Sequence, residues 1–395
     1  MRPSEDVLLY SLRAIERGLL VRKANPGNER RFRLSGLHPA FLILVVALLA
    51  VPVALTVVDV PGESKIKDLL GISVLPAQGC GEVRHAGGPG GPWRAERPLA
   101  GVRDEARAAR VGNGIYLVGG ITALDLDIDP ATATSVDTFE RYDVKTGRYT
   151  SLPPLPARLS HLGVTAYRGD IYVVGGLTDQ LGRAEATGDA WRYRPAEEDW
   201  EAIEPMPTPR GGHGLDVIGD RMYAVGGRNP ARRLGTVEVY DFRTGEWSEA
   251  TPMPTPRDHV GVAAYDGKIY AAGGRQDGDY SLGAFERYDP RADRWTRLSD
   301  LSRPASSFEL VPAAGRLVAA GGGDSDVRPY WVSGQTWAYD PRDRKWSQLA
   351  RMPQPKHGPA AAAVDGRVYL FGGSRCGAFR ATDTAESLQV PPAGS

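Results

Sequence analysis

Cysteine is scarce in this sequence: the 395 residues include only two, Cys80 and Cys376, which allow one intramolecular disulfide bond at most. A net charge is also lacking, because 48 basic residues balance 48 acidic ones. This balance gives no sign of a basic surface for nucleic acid, so no nucleic-acid partner is expected. Long apolar runs are nearly absent too, and the one exception, residues 40–58, divides the chain into two unequal parts.

The single apolar run is predicted to be a transmembrane helix. Residues 40–58 carry no charge, and their number matches the roughly 20 residues that a helix needs to cross a bilayer. A cleaved signal peptide is the alternative, but the long segment before the run fits it poorly. Residues 1–37 hold eight basic side chains against four acidic ones. The positive-inside rule therefore predicts a single-pass protein of the plasma membrane, with its N-terminus in the cytoplasm and the larger part outside.

The segments that flank the run differ in character. Residues 1–39 are interpreted as a basic cytoplasmic anchor next to the membrane. They also have a faint likeness to the last helix and wing of a winged-helix domain, although a whole domain of that kind needs about twice this length. Residues 59–92 are interpreted as a tether, because their end at residues 86–92 is rich in glycine and proline, which is typical of a flexible connection.

Beyond the tether, paired glycines recur about every 50 residues, a period typical of repeat architectures. The first members of the six pairs are Gly119, Gly175, Gly226, Gly273, Gly321 and Gly372. Five copies also place an aromatic residue seven positions after a tyrosine, as in Tyr288 and Trp295. Each copy contains four short apolar runs joined by turn sequences such as Asp266 and Gly267. Each is therefore predicted to fold as a small antiparallel sheet.

This pattern resembles the kelch repeat, whose units are four-stranded propeller blades. The resemblance covers residues 93–390 and implies an all-β, six-bladed kelch β-propeller, here of a membrane-anchored bacterial type with a single transmembrane helix before it. The sixth copy lacks its fourth strand, while the sequence at Trp93 matches the strand that carries Trp247 and Trp295 in other copies. The ring is therefore expected to close through an N-terminal strand.

In kelch propellers the loop before the first strand of each blade and the loop after each glycine pair open on one face, where function is expected. The first loop set carries a repeating basic residue and four of the six histidines. The candidate binding residues of this set are Arg158, His161, Arg210, His213, Arg257, His259, Arg303, Lys356 and His357. They could line a funnel for an anion or a metal, or they could belong to the repeat pattern and bond to neighbouring backbone, which is the favoured interpretation.

No metal and no cofactor are expected. A metal requires ligands at about 2 Å, and histidines from separate blades of a wide ring are not expected to converge so closely. The second loop set offers other candidates, because residues 323–335 include Arg328, Tyr330 and Trp331, a composition typical of a binding hot spot. Packing of Trp331 against its own blade is the alternative.

The expected function is binding of a protein or glycan ligand on the loop face, because variable loops on a rigid scaffold carry specificity. The alternative is a sugar mutarotase or epimerase that resembles bacterial N-acetylneuraminate epimerases, with Glu309 beside Arg257 and Arg303 as an acid–base pair. A buried Glu–Arg pair in a closed funnel would favour the enzyme. Exposed aromatic side chains on an open face would favour the binding protein.

The two cysteines are a candidate disulfide pair. Both lie on the predicted outer side, and Cys376 follows the glycine pair of the blade that the N-terminal strand would close. An oxidising compartment favours a bond between Cys80 and Cys376. Two unrelated thiols are the alternative, because the distance between them cannot be read from the sequence.

Overall fold

A computed structural model describes residues 92–122, 134–180, 183–277, 281–324, 331–375 and 381–394. In these ranges the regular structure consists of β-strands, and they contain no helix that is long and apolar enough to cross a membrane. The predicted cytoplasmic anchor, the transmembrane run at residues 40–58 and nearly all of the tether lie outside the described residues. The described strands form six principal sheets, which are the blades of a six-bladed propeller.

The first three blades follow one another along the chain. Blade 1 consists of β2 (Arg107–Val111), β3 (Gly114–Val118), β6 (Phe139–Asp143) and β7 (Arg148–Ser151), with a small ribbon of β4 (Ile121–Thr122) and β5 (Thr134–Ser135). Blade 2 consists of β8 (Gly163–Tyr167), β9 (Asp170–Gln180), β10 (Arg183–Arg194) and β11 (Asp199–Ile203). Blade 3 consists of β12 (Gly214–Ile218), β13 (Arg221–Val225), β14 (Val237–Asp241) and β15 (Glu246–Ala250).

The remaining blades include the one built from both ends of the propeller. Blade 4 consists of β16 (Gly261–Tyr265), β17 (Lys268–Ala272), β18 (Phe285–Asp289) and β19 (Arg294–Arg297). Blade 5 consists of β20 (Ser306–Ala313), β21 (Arg316–Asp324), β23 (Thr336–Asp340) and β24 (Lys345–Gln348), and β22 (Trp331–Val332) also pairs with β21. Blade 6 consists of β25 (Ala360–Val364), β26 (Arg367–Phe371), β27 (Ala385–Gln389) and β1 (Trp93–Glu96).

The sequence landmarks correspond to specific backbone requirements. Asp266 and Gly267 have φ angles of 48° and 65°, the left-handed values that a tight hairpin between β16 and β17 needs. Tyr288 lies directly opposite Trp295 across β18 and β19, and their ring centroids are 5.3 Å apart. The seven-residue step is therefore a cross-strand aromatic pair, which stabilises the outer half of the sheet.

The glycine pairs allow neighbouring blades to approach closely. A Cβ atom on Gly273 would lie 2.6 Å from the ring of Phe308 in blade 5, and the φ angle of Gly273 is 61°. Only glycine fits such a position without moving its neighbours. Six buried clusters of apolar side chains fill the spaces between adjacent blades, so the core of the propeller lies between its sheets.

Blade 6 receives its outermost strand from the start of the propeller. β1 is antiparallel to β27, with Trp93 opposite Leu388. The indole Nε1 of Trp93 donates a hydrogen bond of 2.9 Å to the carbonyl of Ala350, at the end of blade 5. In blade 4, Trp295 donates a bond of the same length to Thr251, at the end of blade 3. The two tryptophans therefore occupy equivalent places in their blades.

Candidate functional site

A closed ring of hydrogen bonds surrounds the propeller axis. Each blade contributes one residue, located at or just before the start of its innermost strand, and all six have φ angles between 49° and 65°. The six are Glu105, His161, Gly212, His259, Ser307 and Gly358. The backbone N–H of each donates to the carbonyl of the ring residue in the preceding blade, at 2.7 to 3.2 Å. Because Glu105 donates to Gly358, the circle closes.

The ring requires a backbone conformation that favours glycine, yet only Gly212 and Gly358 meet that preference. A residue with a Cβ atom pays on the order of 1 kcal/mol for a left-handed conformation. Glu105, His161, His259 and Ser307 adopt it at positions where glycine serves in other blades. Such departures concentrate where a side chain has a function, so the three of these residues with ionisable side chains, Glu105, His161 and His259, are the first candidates.

The side chains of Glu105, His161, His259 and His357 meet at the axis and are here called the axial cluster. The Nε2 atoms of His161 and His259 each lie 3.9 Å from a carboxylate oxygen of Glu105, and Nδ1 of His357 lies 3.5 Å from Oε1. The rings of His161 and His259 have centroids 4.8 Å apart. The expectation that histidines from separate blades do not converge is therefore wrong, because the ring draws these positions to the narrowest part of the propeller.

Burial and charge decide how this cluster ionises. Burial raises the pKa of Glu105, but the neighbouring His161, His259 and His357 and the Arg107 guanidinium more than offset this, so its pKa lies well below the usual range. Burial lowers the pKa of His161 well below its ordinary value and that of His357 to about 3. A protonated imidazole in this cluster therefore favours the ionised form of Glu105, while burial opposes protonation of His161 and His357.

Two neighbours orient the imidazole rings. Nδ1 of His259 lies 3.2 Å from Oδ2 of Asp258, which can only accept a hydrogen bond when ionised. Nδ1 of His161 lies 2.9 Å from the hydroxyl of Ser160. In both residues Nε2 is the nitrogen directed toward Glu105. The ligand atoms of Glu105, His161 and His259 all lie within 4.8 Å of one another, so these three could hold a metal ion.

Next to the axial cluster, three arginines converge on Asp258 and form what is here called the arginine cluster. The Nε atoms of Arg228 and Arg233 each lie 3.3 Å from the Asp258 carboxylate, and that of Arg275 lies 3.6 Å away. Burial raises the pKa of Asp258, but His259, Arg275 and Arg233 lower it far more, so it is ionised. Arg228 and Arg275 directly follow glycine pairs, which brings the two loop sets together on this face.

Glu309 forms a second charged contact between blades that are not neighbours. Its Oε1 lies 3.1 Å from Nε of Arg107, in blade 1, and not beside Arg257 or Arg303 as the sequence suggested. Burial raises the pKa of Glu309 to about 7, although Arg107 opposes the shift. A carboxyl group that titrates near neutral pH is suited to proton transfer. Glu309 and Arg107 occupy a position at which blades 2, 3 and 4 have glycine.

Most of the repeating basic residues lie inside the blades. Arg210 and Arg257 are fully buried and pair with Glu238 and Glu286 of their own blades, at 2.5 and 2.6 Å. Both also donate to backbone carbonyls, as does the buried Lys356. These side chains hold strands together and lie away from the ligand-accessible surface.

The other candidates of the first loop set are spread out. Arg158 and Arg303 are exposed and out of register with the buried arginines, because Leu159 and Ala305 occupy the equivalent positions. His213 is one residue beyond the ring and buried between blades 2 and 3, at a position where Leu162 and Val260 stand in other blades. It therefore packs as a core residue and does not reach the axis.

Several predicted site residues lie outside the part of the chain that the structure describes. Arg328, Tyr330, Cys80 and Cys376 lie outside the described residues, so the hot spot and the disulfide stay predictions. Trp331 begins β22, and its side chain is not among the described ones. The structure therefore brings together three of the histidines, and it adds new members to the candidate site.

The sequence interpretation missed six residues of this site: Glu105, Arg107, Arg228, Arg233, Asp258 and Arg275. One signal could have found Glu105, because it stands at the position of His161 and His259 when the loops are aligned on the strands that follow. Arg275 could have been found by its place directly after a glycine pair. Their mutual contacts could not, because no periodicity relates residues from blades 1 and 4.

Comparisons with known proteins agree with this architecture. A family model for the KLHDC2/KLHL20/DRC7 kelch-repeat domain matches residues 105–300 and 164–373. The kelch-like protein terF of Aspergillus terreus is 32% identical over 34% of this chain and 29% of its own length. The kelch-like ECH-associated protein 1A of Danio rerio is 33% identical over 24% of this chain and 16% of its own length. The chain thus matches less than a third of the length of each of these relatives. Both relatives are eukaryotic, so they do not support the bacterial type that the sequence resemblance implied.

A solved structure, that of YjhT, superposes with a TM-score of 0.62 at 15% identity. It covers 73% of this chain and 96% of that one, which shows a shared fold and nothing finer. The family match extends over most of the propeller, and the repeat landmarks, the six blades and the interior pairs all agree with it. The chain therefore belongs to the kelch-repeat propeller family, whose fold typically serves as a protein-interaction module.

Proposed function

We propose that this protein is a membrane-tethered kelch propeller that binds a protein ligand on its loop face, outside the plasma membrane, with a glycan as the alternative ligand. The observation that carries the proposal is the arginine cluster. The side chains of Arg228, Arg233 and Arg275 are 32%, 16% and 19% exposed, so they are held in place and still reach solvent.

The chemistry of this cluster favours an acidic ligand. Three guanidinium groups share one buried carboxylate, Asp258, and Arg233 contacts one further exposed carboxylate, that of Asp277, at 3.3 Å. The three guanidinium groups are therefore concentrated on one part of the loop face. Guanidinium groups match carboxylate and phosphate geometry, and groups already held in place lose little entropy on binding. A protein segment rich in Asp or Glu, or an acidic sugar, fits this surface.

A partner screen tests the proposal directly. The full-length protein, in detergent or nanodiscs, would be used for crosslinked capture from its native membrane fraction and on a glycan array. We expect a ligand that binds the wild type and is lost in the double variant Arg228→Ala/Arg233→Ala. Arg158→Ala is the matched control, because this exposed arginine contacts Asp137, at 3.8 Å, and does not belong to the arginine cluster. Equal recovery with all three proteins would refute a role for the arginine cluster.

The tether is the part of the proposal that rests on sequence alone. Its support is the uncharged run at residues 40–58 and the excess of basic residues before it. Alkaline phosphatase fused after Ser395 should be active in a bacterial host, because that enzyme folds outside the cytoplasm. An inactive fusion at normal expression would overturn the outward orientation.

We also propose that β1 is required to keep the ring closed. Support comes from the pairing of β1 with β27 and from the burial of Trp93. Trp93→Ala should lower the free energy of unfolding by about 3–5 kcal/mol, as loss of a buried aromatic side chain does. A truncated chain that starts at Ala100 should melt well below the full-length protein, and equal melting temperatures would contradict the proposal.

The mutarotase or epimerase alternative keeps one supporting observation, the contact between Glu309 and Arg107. It is a largely buried Glu–Arg pair, and the pKa of Glu309, about 7, suits acid–base catalysis. The aromatic side chains predicted for a binding site, those of Tyr330 and Trp331, are not among the described side chains. An assay of N-acetylneuraminate anomerisation decides between the two. Activity that Glu309→Gln abolishes would establish the enzyme, and no activity in the wild type would dismiss it.

A further inference from the structure

We propose that the axial cluster binds one first-row divalent transition metal ion, Zn²⁺ in the simplest case, through a carboxylate oxygen of Glu105 and the Nε2 atoms of His161 and His259. The site would lie on the propeller axis, inside the ring of hydrogen bonds. This proposal does not rest on the ligand of the arginine cluster or on the membrane tether.

The first argument is the state of Glu105. Its side chain is 2% exposed, neither carboxylate oxygen accepts a hydrogen bond from a described residue, and Nδ1 of His357 lies 3.5 Å from Oε1. The nearest cation, Nη1 of Arg107, is 3.6 Å away, and Arg107 is also engaged by Glu309. A buried carboxylate without hydrogen bonds is costly, so a missing cationic partner is the simplest account of this geometry.

The second argument is the direction of the imidazole nitrogens. Nδ1 of His259 lies 3.2 Å from the Asp258 carboxylate, which favours the tautomer with its lone pair on Nε2, 3.9 Å from Glu105 Oε1. Nδ1 of His161 lies 2.9 Å from the Ser160 hydroxyl, and Nε2 lies 3.9 Å from Glu105 Oε2. When that hydroxyl accepts from Nδ1, the lone pair of His161 is also on Nε2 and faces the carboxylate. Carboxylate–histidine pairs of the Asp258–His259 kind are the usual support of a metal-bound imidazole.

The distances suit one shared ion. Two atoms bound to the same metal by bonds of about 2.0–2.2 Å lie no more than about 4 Å apart. The His161–Glu105 and His259–Glu105 pairs are already within that limit, at 3.9 Å each. All three ligand atoms lie within 4.8 Å of one another. Side-chain movements that shift these atoms by less than about 1 Å would bring them onto one ion.

The donor set identifies the class of metal. Two imidazoles and one carboxylate suit Zn²⁺, Fe²⁺ and neighbouring ions of the first transition row, whereas Mg²⁺ and Ca²⁺ prefer oxygen ligands throughout. Three protein ligands would leave a coordination position for water. Nη2 of Arg275 contacts both nitrogens of His259, at 2.7 and 2.5 Å. Binding of the metal would therefore require this guanidinium to turn away from Nε2 of His259.

Titration with Co²⁺ is the experiment, because this ion reports its coordination through visible absorption. The full-length protein would be stripped with chelator and titrated, with the bound metal quantified and Zn²⁺ used as the competitor. We expect one Co²⁺ per chain with the intense bands of a four- or five-coordinate site, displacement by Zn²⁺, no displacement by Mg²⁺ or Ca²⁺, and a higher melting temperature with metal.

Three variants locate the metal. Glu105→Gln keeps the shape of the side chain and removes its charge, and it should weaken Co²⁺ binding beyond the roughly 10- to 100-fold that loss of a supporting contact costs. His161→Gln tests the same site at a more exposed residue, should Glu105→Gln fail to fold. His213→Leu is the matched control, because this histidine belongs to the same loop set and does not reach the axis. Its binding should equal that of the wild type.

Two results would overturn the proposal. One is a wild type that binds no stoichiometric Co²⁺. The other is binding that survives Glu105→Gln and His161→Gln, or that disappears in a folded His213→Leu, since the metal would then be held elsewhere on the chain.

Discussion

Two sets of charged residues lie two positions apart in the repeat and have opposite surroundings. Arg257 is fully buried and bonded to Glu286 within blade 4. His259, two residues later, contacts side chains of blades 1 and 2 across the axis. The blade-interior set completes a single sheet, and the axial set joins several. An ionisable side chain that recurs in the same role is part of the scaffold, and an ionisable side chain that replaces glycine at the axis is a candidate for function.

The difference follows from geometry. A blade-interior pair such as Arg210 and Glu238 needs only its own four strands, so each repeat can carry the same pair. The axial positions of all blades converge on one small space, which cannot hold six copies of the same charged residue. Gly212, Ser307 and Gly358 therefore occupy three ring positions, and Glu105, His161 and His259 occupy the others.

Removing one partner of a blade-interior pair should have the largest effect. Arg257→Ala leaves the buried Glu286 carboxylate without its arginine, so the free energy of unfolding should fall by about 3–5 kcal/mol. Arg158→Ala, at an exposed arginine, should change it by less than about 0.5 kcal/mol. Urea unfolding measures both. If the two variants were equally stable, the buried arginines would not be structural.

The addition of a methyl group to a glycine of the hydrogen-bonded ring should have the next largest effect on stability. A Cβ on Gly358 would lie 2.7 Å from Oε1 of Glu105, and its φ angle is 59°. We expect Gly358→Ala to cost about 2 kcal/mol or more, because steric overlap adds to the left-handed conformation. Gly267→Ala is the control, since its φ angle is 65° and a Cβ there meets nothing within 4 Å. If Gly358→Ala and Gly267→Ala had equal melting temperatures, the side chains of the axial cluster would move aside for the added methyl group at no measurable cost.

Glu309 should make the stability of the protein depend on pH. Its pKa is raised to about 7, so the folded state binds this proton more tightly than the unfolded state does. Its effect on stability is therefore most favourable at acid pH and declines as the pH rises toward and through 7. Glu309→Gln should flatten this slope in unfolding measurements between pH 5 and pH 8. An unchanged slope would mean that Glu309 is ionised throughout.

The smallest effect is expected for a histidine that does not belong to the axial set. Burial lowers the pKa of His213, so its protonation opposes folding, and stability is lost as the pH falls below the ordinary histidine value of about 6.5. His213→Leu should be as stable as the wild type near pH 8 and more stable near pH 5. Thermal unfolding at both values measures this. If His213→Leu were less stable than the wild type at both pH values, the imidazole of His213 would make a stabilising interaction in the folded protein.

Much of the scaffold could be predicted from the sequence because it depends on local rules. Asp266 and Gly267 predicted a hairpin, and the step from Tyr288 to Trp295 predicted adjoining strands, since both patterns act within one sheet. The number of blades followed from counting glycine pairs. The axial cluster could not be predicted, because Glu105 and His259 are brought together only when all six blades close. The position of His213, one residue beyond the ring, shows that a count of loop histidines does not tell which of them face the axis.

The ring of six hydrogen bonds also limits how the number of repeats could change. Every member uses its one N–H and one carbonyl on its two neighbours, in the same rotational direction around the circle. Deleting a repeat would leave a donor and an acceptor facing each other across a gap, and duplicating one would widen the circle and separate Glu105 from His259. A lineage that gained or lost a repeat would thus abolish the meeting of these side chains in a single step, even if every remaining blade folded as before.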